Sequence, residues 1–429
     1  MRVYRDRVVI HLADGREIVY EQGPMSPAAQ SRYKRIKKAL DERWLDNAAG
    51  EAMSPAMTTK LSADWVRVFE AMSEAITPES GRAMVAITLI QLAVKAIEPG
   101  QSIRLTKGRT GKGGGGFSWV EGLSMRNLSS DYFVDFFERY ELVFGNEYGP
   151  FMTRGFAENY PYSPFYKADL RGPRKEWDKI VEGLEDGSLD AREGFLLLCS
   201  LLANRSTEFK KAAKETIRAV RSYLATDPGF DEVRDLISHH VRSAPNSARP
   251  LEVAMHSLLQ AMYPPKIGPT FELRPLSQMR SANLKARNVG DVELLQPHTK
   301  KVVQAWDAKS GPITIGSEID GLRRKLLANR GVLTAGFVMD QPPHMDPNAI
   351  NLIAQIRKTT GTNVETLVFE DWVAMEAKLS GDAPKVLGAA WLTAYAESLC
   401  QMRREIAPID EPSKPWVDSL RHEVEMRLP

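Results

Sequence analysis

Hydrophobic and polar positions follow two different rhythms along this chain. Up to about residue 262 the apolar residues recur mostly at helical spacing. Trp65, Val66, Phe69, Met72 and Ile76 form one such stripe, and Met84, Ile87, Ile90, Leu92 and Val94 form the next. Further helices are expected over 119–145, 173–185, 190–204, 207–225, 230–242 and 247–262. Beyond residue 265 short apolar runs alternate with helical stretches. FELR, VGDVELLQ, KVVQAWDAK, VLTAGFVMD and VETLVFE read as strands; SEIDGLRRKLLANRG, DPNAINLIAQIRKTT and DWVAMEAKLS read as helices. That alternation predicts an α/β domain on a mixed sheet. The fold class expected is therefore mixed α+β, with a large helical N-terminal region ahead of an α/β core.

The first 24 residues depart from the helical pattern. RVVIHLA and REIVYEQ flank Asp14-Gly15, a strong turn signal, and predict a β-hairpin. A helix opening near Ser26-Pro27 follows, with Arg32, Lys34, Arg35, Lys37 and Lys38 spread around it. Such a spread suits a solvated helix, or a contact with a nucleic-acid backbone. The domains expected are 1–50 (hairpin and basic helix), 51–246 (helical), 247–382 (α/β core) and 383–429 (C-terminal helices).

Composition narrows the class. The 429 residues leave room for two or three domains, and 43% hydrophobic residues suffice for a large core. A net charge of +2 demands no nucleic acid, so any DNA-binding charge is local. Cys199 and Cys400 sit in apolar helical runs and read as buried small hydrophobes in a reducing cytoplasm. No Cys/His spacing suggests structural zinc. The charged start MRVYRDR lacks the apolar stretch of a signal peptide, and no apolar run approaches the roughly 20 residues of a membrane span. A cytoplasmic protein without membrane contact is expected.

Two segments have compositions that suit nucleic acid. Residues 98–118 form a glycine-rich loop with Arg104, Lys107, Arg109 and Lys112. GRTGKG lacks the spacing and the Ser/Thr of a nucleotide-binding loop. It suits a backbone-contacting loop or a plain linker. In 146–172, Tyr148, Phe151, Phe156, Tyr160, Tyr162, Phe165 and Tyr166 interleave with Arg154, Lys167 and Arg171. They suit base stacking or ordinary packing on a core. His239 and His240 are adjacent, so they point to different helix faces and form no joint metal site.

The chemistry concentrates in ARNVGDVELLQPHTKKVVQAWDAKSG, residues 286–311. If its two strands form a hairpin centred near Thr299, Asp291 and Asp307 lie opposite each other, each eight positions from the centre. Opposed residues share a face, as do Asp307 and Lys309, two apart on one strand. Opposed carboxylates repel, and a hard divalent cation removes that cost; oxygen ligands select Mg2+, with Mn2+ as a substitute. The ion can polarise a phosphate and lower the pKa of a bound water. Lys309 beside it can stabilise a pentacovalent phosphate or help activate the attacking water.

This order of helix, strand with Gly290-Asp291-Val292, strand with Asp307-Ala308-Lys309, helix and strand resembles the PD-(D/E)XK nuclease superfamily. The resemblance implies that Asp291 and Asp307 are metal ligands and Lys309 the catalytic lysine. It further implies a glutamate from the preceding helix, for which Glu252 is the candidate; a first-turn charge favoured by the helix dipole is its other reading. Glu293 shares the face of Asp291 by alternation. Within the superfamily the layout resembles SacI-type restriction endonucleases, over about residues 60–345. That implies a magnesium-dependent type II restriction enzyme acting on double-stranded DNA as a homodimer. Arg280, Asn283, Lys285 and Arg287, just before the first catalytic strand, are then candidates to flank the scissile phosphate.

Two other functions fit parts of the chain. One is a DNA-binding protein without catalysis, built on a degenerate nuclease core. The other is a methyltransferase, prompted by Asp340-Gln341-Pro342-Pro343; its extra Gln, the absence of a following aromatic and the lack of a glycine-rich cofactor loop count against it.

Overall fold

A computed structural model describes residues 1–11, 15, 17–74, 82–106, 119–142, 160–166, 170, 172–245, 248–264, 270–276, 288–311, 315–342, 344–345, 347–400 and 413–428. The chain divides into two compact units, Met1–Thr207 and Glu208–Pro429.

In the first unit β1 (Arg2–Val3), β2 (Arg7–His11) and β3 (Glu17–Glu21) form a three-stranded antiparallel sheet. The expected hairpin is present, with Val9 opposite Val19, and β1 extends it by a strand that was not expected; Asp14 lies outside the described residues. Helices α1 (Pro27–Asp41), α2 (Trp44–Ala52), α3 (Ala63–Glu74), α4 (Arg82–Ile97), α5 (Met125–Leu128), α6 (Val134–Arg139) and α7 (Arg174–Asp186) follow. Ser26 caps α1 by accepting from the Ala29 N–H at 3.0 Å, with Pro27 at the first helical position. Phe69, Met72, Ile87, Ile90 and Leu92 are all buried in one core, as their spacing predicts. Of the helical stretch expected over 119–145, residues 125–139 are helical. Trp119 pairs with Gln22 as an isolated bridge, and a π-helical turn, Ser129–Phe133, joins α5 to α6.

Helix α8 (Ala191–Leu224) contains the division between the units. The sequence predicts two helices there, 190–204 and 207–225, where the structure has one. Thr207 donates its hydroxyl back to the Ala203 carbonyl at 3.0 Å, and the helix continues.

The second unit carries the five-stranded sheet β4 (Glu272–Leu273), β5 (Val292–Leu295), β6 (Val302–Lys309), β7 (Thr334–Met339) and β8 (Asn363–Val368), in that order. The β4–β5 and β5–β6 pairs are antiparallel; β6–β7 and β7–β8 are parallel. The sheet is mixed, as the alternation of strands and helices predicts. Helix α11 (Gly316–Ala328) connects β6 to β7, and α12 (Pro347–Thr360) connects β7 to β8. Both cover one face: Ile319, Leu322 and Ile356 pack with Ala305, Ala335 and Phe337. The other face meets α10 (Ala248–Met262), α13 (Phe369–Ala377) and α14 (Pro384–Cys400). There Trp306, Ala308 and Val338 share a core with Leu258, Trp372 and Trp391. Helices α9 (Phe230–Ser243) and α15 (Lys414–Glu425) pack against this layer. The result is three layers, helices on both faces of a sheet.

Candidate active site

The β5–β6 hairpin sets the site. Its register pairs Val292 with Trp306 and Glu293 with Ala305. One step further along that register Asp291 meets Asp307, the opposition the spacing predicts. Asp291 sits just before β5, and its Oδ2 accepts from the Ala308 N–H at 3.2 Å. The preceding glycine is required by a close approach. A Cβ on Gly290 would lie 2.7 Å from the Trp306 nitrogen and 2.8 Å from its carbonyl oxygen. A side chain there would push the two strands apart.

Asp291, Asp307, Lys309 and Glu252 all line one cleft of about 550 Å³, together with Glu318, Gly321, Leu322 and Lys325 of α11. Four residues singled out from sequence therefore converge. The surroundings set their charges. Asp307, 14% exposed, has its carboxyl pushed up to about 6, first by burial and then by the negative charge of Asp291; Lys325 and Lys309 pull it back. The Lys325 ammonium lies 3.8 Å from Asp307 Oδ2. Lys309 Nζ is 2.7 Å from Glu318 Oε2 and 5.9 Å from the centre of the Phe337 ring. Burial works against the Lys309 charge, but the bond to Glu318 and the nearby aspartates outweigh it and hold its pKa above the usual lysine value. Glu252 is 7% exposed and paired with Arg249 one turn earlier on α10.

Glu293 shares the sheet face of Asp291 but does not line the cleft. It is 1% exposed, and its Oε1 accepts from the Val289 N–H at 2.5 Å and the Gly290 N–H at 3.1 Å. Its Oε2 lies 2.5 Å from Arg274. Glu318 and Lys325 were not singled out from sequence. Their seven-residue separation on an amphipathic helix, which puts both on one face, was the available signal.

The expected nucleic-acid contacts fare differently. Arg104 is 4% exposed; its Nη1 donates to Glu182 at 2.7 Å and to the Tyr162 carbonyl at 2.8 Å, so its charge is satisfied inside the fold. Lys107, Arg109, Lys112, Arg280, Asn283, Lys285 and Arg287 lie outside the described residues. On α1, Arg32 pairs with Glu121, Arg35 with Glu98 at 2.7 Å and Lys37 with Asp131 at 3.5 Å, a pattern that fits the solvated-helix reading. Tyr162 and Tyr166 are buried beside Trp177, with ring centres of Tyr162 and Trp177 5.0 Å apart, so these two pack on the core. Asp340 accepts from Ser310 Oγ at 2.5 Å and the Gly311 N–H at 2.9 Å, anchoring the turn after β6. His239 and His240 point apart: one pairs with Glu423, the other is buried between Tyr395 and the Trp416 carbonyl.

The donor set in the cleft is all oxygen on the acidic side. Among the described residues no group of three or more His, Cys, Asp or Glu is placed to hold a metal. Asp291 and Asp307 therefore offer two carboxylates. That suits Mg2+, which keeps several waters and takes one or two carboxylates plus phosphate oxygens, better than it suits zinc. No family model matches the chain, and no curated protein matches it either. No helix among the described residues is long and apolar enough to cross a membrane.

Proposed function

We propose that this chain is a magnesium-dependent DNA endonuclease built on a PD-(D/E)XK-like core. The observation that carries the reading is the convergence of Asp291, Asp307 and Lys309 in one cleft, brought about by the β5–β6 register. Asp291 and Asp307 would hold the ion, which supplies Lewis acidity toward a phosphate and toward water. Glu252 borders the cleft with its charge offset by Arg249 and is the candidate for a third metal ligand.

The chain's own residues define the rest of the chemistry. Lys309 remains a cation at neutral pH because its pKa is held up. It therefore acts as a charge that stabilises the developing negative phosphate rather than as a base. Glu318 pairs with that ammonium at the cleft. Lys325 supplies a second positive charge beside Asp307. The substrate we infer is double-stranded DNA, and the arrangement of a restriction enzyme implies a homodimer, since two-fold sites suit two-fold proteins.

Plasmid cleavage with Mg2+ tests this directly. Wild type is expected to cut, and Asp291→Ala, Asp307→Ala and Lys309→Ala to lose at least about 100-fold in rate. Variants that cut like wild type would remove the site assignment. Absence of cutting across varied and modified DNA would favour a DNA-binding protein on the same core.

A further inference from the structure

The peptide that leads into Asp291 is held on three sides, by Glu293, by Lys325 and by the Trp306 backbone. Glu293 Oε1 takes both of its N–H groups, from Val289 at 2.5 Å and from Gly290 at 3.1 Å. Lys325 Nζ donates to the Val289 carbonyl at 3.1 Å. Gly290 lies flat against the Trp306 backbone, closer than any side chain would allow. Glu293 is itself fixed from behind. Arg274 lies 2.5 Å from its Oε2, donates to Asn288 Oδ1 at 2.9 Å, and its backbone N–H donates to the Glu293 carbonyl at 2.9 Å.

This arrangement is costly as bare structure. Glu293 is 1% exposed, and an acid so buried needs several donors to be tolerated. A short turn next to a strand can satisfy its N–H groups with a backbone carbonyl or water. A buried carboxylate facing a lysine from a different element fixes the turn's position as well as its hydrogen bonds. Asp291 comes directly after that turn, and its distance from Asp307 decides whether both can share one ion. Lys325 connects the two halves, since the same ammonium approaches Asp307 Oδ2 at 3.8 Å.

We infer that Glu293 and Lys325 are positioning residues that clamp the Val289–Gly290 peptide and so set Asp291 against Asp307 for ion binding. The inference rests on the metal role proposed for the two aspartates. Outer groups that orient ligands typically carry roughly 10- to 100-fold in metal affinity.

The test is binding of Mn2+ alone, followed by the electron paramagnetic resonance signal of the free ion, with thermal unfolding of the metal-free protein in parallel. Glu293→Leu and Lys325→Met are expected to weaken Mn2+ binding by about 10-fold or more, while Glu293→Gln, which keeps Oε1 as acceptor, stays within about threefold of wild type. A purely structural role would lower the unfolding temperature of the leucine and glutamine variants and leave the affinity of the folded fraction unchanged. Arg274 is about one-third exposed and holds Glu293 without lining the cleft, so Arg274→Met, expected to weaken Mn2+ binding in the same direction, decides the matter should Glu293→Leu not fold. Wild-type affinity in Glu293→Leu and Lys325→Met, with binding lost in Asp291→Ala, overturns the clamp and leaves the metal reading standing. Wild-type affinity in Asp291→Ala and Asp307→Ala overturns both.

Discussion

Asp307 is where the charges of the site compete. Burial and Asp291 raise its carboxyl to about 6, against an ordinary value of 3.8. A folded pKa raised above the unfolded one means the protonated form favours the fold. That contribution is complete below about pH 4 and is lost as pH rises through about 6. At neutral pH the metal-free protein thus carries an ionised, disfavoured aspartate. A carboxyl raised from 3.8 to about 6 corresponds to roughly 3 kcal/mol as an upper figure. Asp307→Asn is accordingly expected to raise the unfolding temperature of the metal-free protein at pH 8, more than at pH 5, while abolishing cleavage. An equal rise at both pH values would show that the aspartate carries no such cost. Gly290 makes the complementary point about shape. Gly290→Ala should disrupt the hairpin by roughly 1–3 kcal/mol through overpacking and lower Mg2+-dependent cleavage by more than its stability loss explains. Chemical denaturation beside rate measurements separates the two effects.

At the scale of elements, β6 has two unlike faces. Asp307 and Lys309 belong to the face of the cleft, while Trp306 and Ala308 belong to the core against α10, α13 and α14. Gln304 is on that second face, and its amide donates to Glu376 of α13, which is fully buried. Burial pushes the Glu376 carboxyl up to about 7, against the opposing effect of the Gln304 hydrogen bond and the Trp306 side chain. The sign is again that of a raised acid: its stabilising share is complete below about pH 4.5 and is lost as pH rises through about 7. Glu376→Gln should therefore stabilise the protein above pH 7 by up to roughly 3 kcal/mol relative to wild type and make no difference near pH 4.5. Urea unfolding across that range reads the difference, and a pH-independent difference would contradict it. His240 runs the opposite way. Burial lowers it to about 4, so its contribution is present above pH 6.5 and lost as pH falls toward 4. The two groups together favour a stability maximum between those limits.

For the whole molecule, each unit has its own core, and the sheet that carries the cleft belongs entirely to the second. The helical first unit was expected to supply DNA contacts through its basic residues. Where those residues are described, much of their charge is already used: Arg104 inside the fold and Arg32, Arg35 and Lys37 against acids. A net charge of +2 adds no global attraction to DNA. The DNA reading therefore depends on the cleft's chemistry and on the family resemblance of residues 286–311. Spacing alone determined a good deal of the second unit. Strand alternation predicted β4 to β8 and the helices between them, and counting from Thr299 placed Asp291 opposite Asp307, because side-chain direction along a strand has a period of two. Other features required the tertiary structure. Glu318 and Lys325 join the cleft only because α11 packs back across β6, and Arg104 is removed from solvent only because Glu182 and Tyr162 meet it. The continuity of α8 through Ser206-Thr207 was likewise not legible in the spacing, and Thr207 there returns its hydroxyl to the Ala203 carbonyl within the helix. Charge identity is local and readable in a sequence; which charges end up facing one another depends on how distant elements pack.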